Sequence, residues 1–163
     1  MKLPVPFDDA VDLLDADHKS VKKLFTNYSG LCETNAPAED RQDLAERICR
    51  ALTVHAQLEE EIFYPQVRKA IGDDALIDEA LGEHKEAKKL IALIEGMDAS
   101  QADYDATVLQ LGKVIDEHVF EEREQIFLRA RLAALDLRGM TLPLLKRQMQ
   151  LKKSALTKTK EPA

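Results

Sequence analysis

Apolar residues recur in alternating steps of three and four along four long stretches of the chain. This spacing is typical of helices in a bundle, because residues at i, i+3, i+4 and i+7 share one side of a helix. The pattern predicts helices from about Asp8 to Gly30, Glu39 to Ala70, Asp74 to Met97 and Ala102 to Leu135. Strand-like alternation does not occur in the sequence. We therefore predict an all-α protein, an up-down-up-down four-helix bundle with a short extra C-terminal helix.

Six polar residues interrupt the apolar seams of these helices. The chain has four histidines, and each predicted helix carries one in mid-seam: His18, His55, His84 and His118. Glu59 and Glu122 follow two of them by four residues, so each pair projects from one helix face. At about 1.5 Å rise per residue, the four histidines lie at comparable distances from the connections. The six side chains should therefore meet in one layer of the core.

A metal ion is the simplest explanation for this polar layer. A single seam histidine is more often a core residue with a hydrogen-bond partner. Burying four imidazoles and two carboxylates, however, costs several kcal/mol per unpaired group unless a cation binds them. These ligand types suit iron, manganese or zinc. Sharing both carboxylates predicts two ions, one bound by His18 and His55 and the other by His84 and His118, with Glu59 and Glu122 between them.

The C-terminal residues form a separate predicted unit. Gly139 is predicted to break the helical pattern, and Leu142 opens a short helix that reaches roughly Leu151 or Leu156. We predict a bundle over residues 1–140 and a short helix with a basic, frayed tail over residues 141–163. The tail is a candidate contact for a protein partner, although a solubilising end is the simpler interpretation.

Charge and hydropathy limit the classes of partner. The net charge is −7, and residues 141–163 carry six Lys or Arg and one Glu, which leaves 17 basic and 29 acidic residues, or −12, on residues 1–140. Such an acidic body disfavours nucleic acid. The sequence shows neither an apolar run of about 20 residues nor a signal peptide, so we expect no membrane partner and a cytoplasmic location. Cys32 and Cys49 are predicted to be buried free thiols.

Residues near the seams but outside this set are less favoured for the site. The acidic side chains Glu60, Glu61, Glu83, Glu86 and Glu121 are predicted to face solvent. The alternative is that Glu83, Glu86 or Glu121 supplies a further ligand. Tyr28 and Tyr64 are predicted to pack in the core. Pro65 is predicted to kink the second helix, or to end its regular part, about one turn after Glu59.

Over about residues 8–135, the chain resembles the hemerythrin-like, or HHE cation-binding, family. The resemblance rests on the order His18, His55-x-x-x-Glu59, His84, His118-x-x-x-Glu122, with a Glu-rich run ending in Tyr64-Pro65. It implies a four-helix bundle around a non-heme di-iron centre bridged by an oxo or hydroxo group. In that family pattern, Glu59 and Glu122 match the bridging carboxylates and the four histidines match the terminal ligands.

Two departures from the oxygen-carrying hemerythrins bear on function. Lys88 stands where those proteins have a further histidine, and Glu122 replaces a more distant Asp. Each iron would then keep an open position, which favours an oxidoreductase of oxidative stress that acts on hydrogen peroxide in a catalase- or peroxidase-like way. No catalytic residue beyond the metal ligands is predicted. The alternatives are reversible O2 binding, an iron-, O2- or NO-responsive sensor, and iron binding without turnover.

Overall fold

The chain folds into a helical bundle in a computed structural model that describes residues 7–160, with side chains described through Ala155. The described elements are α1 (Ala10–Glu33), α2 (Ala38–Leu58), α3 (Tyr64–Ile71), α4 (Asp74–Glu95), α5 (Tyr104–Glu121), α6 (Leu128–Leu132) and α7 (Leu137–Lys160). π-helical turns at Glu59–Phe63 and Glu122–Phe127 join α2 to α3 and α5 to α6. The predicted all-α class and bundle are thereby confirmed.

Local sequence signals account for the beginnings of two helices. Asp9 precedes α1 and accepts a hydrogen bond from the Asp12 backbone N–H at 2.9 Å. Asp73 does the same for α4, where the Leu76 N–H donates at 3.1 Å. Gly72 ends α3 with φ of +65°, a left-handed conformation that favours glycine. The Asp9 and Asp73 caps satisfy N–H groups that the first turn of a helix cannot pair internally.

The core consists of two apolar clusters with the polar layer between them. One cluster contains Leu14, Leu58 and Ala80, and the other contains Val21, Leu52 and Ala87. Each pair of these residues brackets a seam histidine along its helix: His18, His55 and His84. The helices therefore bury apolar surface above and below the site, and this packing sets the height at which the histidines meet.

The regular part of the second long helix ends earlier than Pro65 predicts. The α-helix stops at Leu58, and the π-helical turn follows, in which the Tyr64 N–H donates to the Glu59 carbonyl. Pro65 has no N–H to donate, so it tolerates the wider turn that precedes it. The interruption thus begins at the predicted ligand Glu59. Single π-helical turns inside α-helices are frequently found at functional sites.

Helix α7, which corresponds to the predicted short C-terminal helix, is longer than predicted and begins before Gly139. Asp136 caps it by accepting the Gly139 N–H at 2.9 Å, and Pro143 lies within its second turn. A Cβ at residue 139 would stand 2.2 Å from Asp136 Oδ2, so the glycine permits this cap instead of breaking the helix. The predicted boundary between residues 140 and 141 falls inside α7; the division into two units remains a prediction.

Several further predictions concern the ends and the cysteines. The predicted frayed tail is helical through Lys160, whereas residues 1–6 and 161–163 lie outside the described residues. Both cysteines are free; Cys49 is buried as predicted, but Cys32 is only partly buried. Burial raises the pKa of the Cys49 thiol to about 12. Among the described residues, no helix is long and apolar enough to cross a bilayer.

Candidate metal centre

The structure brings all six predicted ligand side chains together in the middle of the bundle. The exposed fraction of each histidine is 7% or less, and Glu59 and Glu122 are exposed by 0% and 1%. They form two groups whose ligand atoms lie within 4.8 Å of one another: His18, His55, Glu59 and Glu122, and Glu59, His84, His118 and Glu122. The grouping is the same partition that the sequence predicts, with both carboxylates shared.

In the first group, the inward-facing nitrogens lie at distances suited to one common ion. His18 Nε2 is 3.1 Å from His55 Nε2 and 3.0 Å from Glu122 Oε1. His55 Nε2 is 3.3 Å from Glu59 Oε1. Two adjacent ligands that are each about 2.1 Å from one metal ion stand about 3 Å apart. The spacing therefore fits neighbouring ligands of a cation.

The second group has similar distances and an additional hydroxyl. His84 Nε2 lies 3.3 Å from His118 Nε2 and 3.2 Å from Glu59 Oε1. Tyr64, 1% exposed, donates a hydrogen bond from its hydroxyl to Glu122 Oε2, and this hydroxyl is also 3.3 Å from His84 Nε2. The structure thus corrects the prediction that Tyr64 only packs in the core. It also makes the site asymmetric, because the hydroxyl lies beside the second group.

Three buried carboxylate oxygens test whether these residues fit a metal. Both oxygens of Glu59 and Oε1 of Glu122 have no hydrogen-bond partner within the described protein. The neighbouring histidine nitrogens approach Glu59 Oε1 at 3.2–3.3 Å, but outside hydrogen-bonding geometry. Unsatisfied buried carboxylate oxygens are costly. A cation between the imidazoles and carboxylates would satisfy them, so the donor set fits a metal.

Each histidine also binds a carboxylate through its outward-facing nitrogen. The four Nδ1 to oxygen distances are 3.2 Å for His18–Asp15, 3.0 Å for His55–Asp17, 2.8 Å for His84–Glu60 and 2.6 Å for His118–Glu83. A carboxylate only accepts, so Nδ1 carries a proton; when Nε2 gives up any proton of its own to bind a cation, its lone pair points inward. Such partners orient metal-binding histidines and raise their basicity.

All four carboxylates of this outer layer were missed from the sequence; Asp15 and Asp17 bind His18 and His55 without having been assigned a role. Glu60 and Glu83 were predicted to face solvent, yet each accepts from a histidine of a neighbouring helix. A single-helix seam does not reveal these contacts, because they cross between helices. Glu60 adjoins Glu59 and Glu83 adjoins His84 in the sequence. A search for acidic residues immediately next to seam ligands would have found both.

Lys88 completes one of these contacts and borders a small cavity. Its Nζ donates to Glu60 Oε1 at 2.7 Å, and Glu60 in turn holds His84. Beside the four histidines lies a cavity of about 30 Å³, walled mainly by apolar side chains such as Leu52 and Ile91. This volume is about that of one water molecule. Space for a very small molecule therefore adjoins the inward-facing nitrogens.

The buried charges of the metal-free site shift the pKa values of its members. Burial would lower the pKa of His55, but the charge of Glu59 and a hydrogen bond with Asp17 raise it well above its usual value. Burial would likewise lower the pKa of His118, yet the carboxylates of Glu122 and Glu83 raise it to about 10. Conversely, Glu122 has a pKa well below its usual range despite burial, because the nearby nitrogens of His118 and His18 favour its ionised form.

The raised histidine pKa values predict that the metal-free protein loses stability in mild alkali. In the unfolded chain both titrate near 6.5. The stabilisation from His55 and His118 is therefore complete below about pH 6.5 and is lost as pH rises through the folded pKa, about 10 for His118. We expect the melting temperature to be roughly 5–10 °C lower at pH 9 than at pH 6.

Calorimetry after exhaustive chelation measures this difference. In a His118→Gln variant, the decline between pH 6 and pH 9 should be smaller. An identical decline in that variant would contradict the assignment of the effect to His118.

Comparison with known proteins identifies the family. The model of the hemerythrin HHE cation-binding domain matches residues 9–130. The chain belongs to this family. Hemerythrin HHE domains bind metal cations, and this chain contains two His/Glu clusters that could hold them. The family resemblance drawn from the sequence is confirmed.

Two individual proteins show how far this hemerythrin-like chain can be compared. A hemerythrin HHE cation-binding domain-containing protein from Mycobacterium kansasii is 22% identical, with a TM-score of 0.77 over 93% of this chain and 92% of that one. This likeness shows the fold alone. A protein named DNA nickase from Nostoc sp. (strain PCC 7120 / SAG 25.82 / UTEX 2576) is 32% identical over 120 residues, which cover 74% of this chain. The chain spans only 33% of the length of that relative.

Proposed function

We propose that this hemerythrin-like chain binds two iron ions and converts hydrogen peroxide in a catalase- or peroxidase-like reaction. The observation that carries the proposal is the pair of His/Glu groups that share two buried carboxylates lacking hydrogen bonds. His18 and His55 would hold one ion, His84 and His118 the other, and Glu59 and Glu122 would join them. When bound, such a pair of irons supplies the one-electron steps by which peroxide is reduced or oxidised.

The cavity beside the histidines suits a substrate of this size. Its volume of about 30 Å³ admits a molecule such as hydrogen peroxide or O2 and excludes larger organic substrates. Lys88 supports Glu60 at 2.7 Å, so it acts through that carboxylate. In oxygen-carrying hemerythrins the matching position is a histidine ligand. Its absence here leaves one side of the second group open toward the cavity.

Tyr64 supplies a proton-bearing group at the site. Burial, together with the charges of Glu122 and Glu59, raises the pKa of Tyr64 well above its usual value. In the metal-free site the hydroxyl therefore keeps its proton while it contacts Glu122 and His84. Cations bound beside it would lower this pKa and favour release of the proton. Cleavage of peroxide to water consumes protons, and a donor held beside the cleaved bond accelerates such a step. We assign that role to Tyr64.

Peroxide consumption by iron-loaded protein tests the proposal. In the presence of an organic reductant, we expect consumption of hydrogen peroxide to exceed that by an equal concentration of free ferrous ion by at least tenfold, because the site holds the ions beside a proton donor. An oxygen electrode measures the two conversions of peroxide apart: catalase-like turnover yields one O2 per two peroxides, and peroxidase-like turnover yields none. Rates equal to free iron would overturn the redox proposal and leave metal binding intact.

The remaining alternatives give different results with the same preparation. Reversible O2 binding requires an oxygenated spectrum that reverts under vacuum, and a sensor requires a partner whose binding depends on the bound metal or gas. Manganese or zinc would also fit the ligand types. Because the zinc ion has no redox chemistry, zinc loading would contradict the peroxide reaction.

Partners and location also remain proposals. The name of the Nostoc relative refers to DNA, so the exclusion of nucleic acid stays an inference from the acidic residues 1–140. The two free thiols are compatible with the cytoplasmic location that we propose. A protein partner for the C-terminal segment would have to contact α7, whose inner face is already packed on the bundle.

A further inference from the structure

Helix α7 lies across the bundle and reaches the level of the metal centre. It packs along α1 and α2, and Leu137, Met140 and Leu144 are buried in the apolar cluster below the site. One turn beyond Leu144, Gln148 is also buried, with 8% of its surface exposed. A buried amide in an apolar helix interface is costly unless it is hydrogen-bonded. Its partner therefore matters.

Gln148 binds the carboxylate that holds His55. The Gln148 Nε2 atom lies 3.1 Å from Oδ1 and 3.1 Å from Oδ2 of Asp17. Asp17 Oδ2 accepts from His55 Nδ1 at 3.0 Å. Since an ionised carboxylate has no proton to give, the amide nitrogen must be the atom that faces it. A continuous chain of hydrogen bonds thus runs from α7 through α1 to a metal-facing histidine on α2.

This contact differs from those of the other outer carboxylates. Asp15 is held by Arg123 at 2.6 Å and Glu60 by Lys88 at 2.7 Å, both through cations of the bundle itself. Asp17 is instead held by a neutral amide from α7. Arg147 on the same helix adds a second attachment, because it binds Glu61 at 2.8 Å in the π-helical turn that begins at Glu59.

We propose that Gln148 is a positioning residue for His55 and that it couples the docking of α7 to metal occupancy. By fixing Asp17, the amide keeps the proton of His55 on Nδ1 and its Nε2 directed at the ion. Without the amide, Asp17 is free to turn toward solvent, since 22% of its side chain is exposed. His55 then loses its fixed tautomer and orientation. This inference rests on the proposed metal function.

The coupling acts in both directions. If docked α7 strengthens metal binding by some factor, bound metal must strengthen the docking of α7 by the same factor. Metal loss should therefore loosen the helix, beginning around Gln148. The face that α7 covers on α1 and α2 would then become accessible. The docking of α7 on the bundle would then depend on whether metal is bound.

Isosteric substitutions separate this role from simple packing. Gln148→Glu keeps the shape and removes the donor, so a second acceptor faces Asp17. Gln150→Glu is the matched control: it changes the same charge on the same helix, and Gln150 contacts Arg147 rather than Asp17. Gln148→Leu removes the amide without adding charge. It serves as the second variant if the charged one does not fold.

Cobalt(II) added to the purified 163-residue chain provides the readout, since its visible absorption reports the ligand field directly. We expect Gln148→Glu to release cobalt to a chelator roughly tenfold faster than wild type, with a shifted absorption band at full occupancy. Gln150→Glu should stay within about twofold of wild type. Hydrogen exchange over residues 137–155 should slow on adding cobalt to wild type, and this slowing should shrink in Gln148→Glu.

The possible failures are distinguishable. If wild type takes up no cobalt, the proposed metal function fails and this inference fails with it. If wild type binds cobalt but Gln148→Glu and Gln148→Leu match it in release rate, spectrum and exchange, metal binding stands and the positioning role is wrong. An equal loss in Gln150→Glu would assign the effect to added charge on α7 and would also overturn the proposal.

Discussion

Replacing Glu59 by glutamine is expected to lower the bound metal from about two ions per chain to one or fewer. The reason is that Glu59 belongs to both ligand groups and has two buried oxygens without hydrogen bonds. A neutral amide keeps the volume but weakens the attraction to both cations. Elemental analysis of protein purified from iron-supplemented cells measures the change. The melting temperature should lose most of the increase that metal gives wild type.

Glu124 offers a matched control for this substitution. It lies in the second π-helical turn, two residues after Glu122, and is exposed to solvent. Glu124→Gln therefore changes the same charge close to the site and should leave metal content unaltered. Wild-type metal content in Glu59→Gln would refute its assignment as a shared ligand. Equal losses in both variants would show that general charge near the site controls loading.

Replacing Tyr64 by phenylalanine is expected to slow peroxide conversion by on the order of 100-fold while metal content is retained. The substitution removes only the hydroxyl that contacts Glu122 and His84. Since the ring remains, the packing against Phe63 and the imidazole of His84 should persist. Initial rates of peroxide consumption, normalised to iron content, measure the effect.

Tyr28→Phe is the corresponding control. Tyr28 is fully buried like Tyr64, but its hydroxyl binds Asp105 at 2.5 Å in the cluster above the histidines. Its loss should reduce stability by about 1 kcal/mol and leave turnover per iron unchanged. Full turnover in Tyr64→Phe would remove the proton-donor role. Loss of iron from that variant would instead indicate that the hydroxyl helps to hold the metal.

The inner site could be predicted because it interrupts a regular pattern. A histidine such as His18, placed between Leu14 and Val21 on an apolar seam, is visible in the sequence. Helix periodicity converts that position into a height and a facing direction. His55 and Glu59 follow the same logic through their four-residue spacing. The number of residues between each histidine and the adjacent turn then predicts the shared layer.

The outer layer could not be predicted in the same way, since three of its four histidine contacts depend on how helices cross. Glu60 reaches His84, and Gln148 reaches Asp17 across 131 residues of sequence. Neither periodicity nor spacing relates such pairs. The predicted helix end at Gly139 was wrong as well. Glycine usually ends helices, but here the Gly139 N–H donates to Asp136, which caps the start of α7. Tyr64 was missed for another reason: an aromatic residue beside a seam normally indicates packing.

Metal analysis of the 163-residue chain, purified without added metal and combined with its visible absorption spectrum, tests the central claim most directly. The account predicts about two irons per chain and absorption typical of an oxo-bridged pair. One zinc ion per chain, with no visible absorption, would contradict the di-iron centre and the peroxide chemistry together.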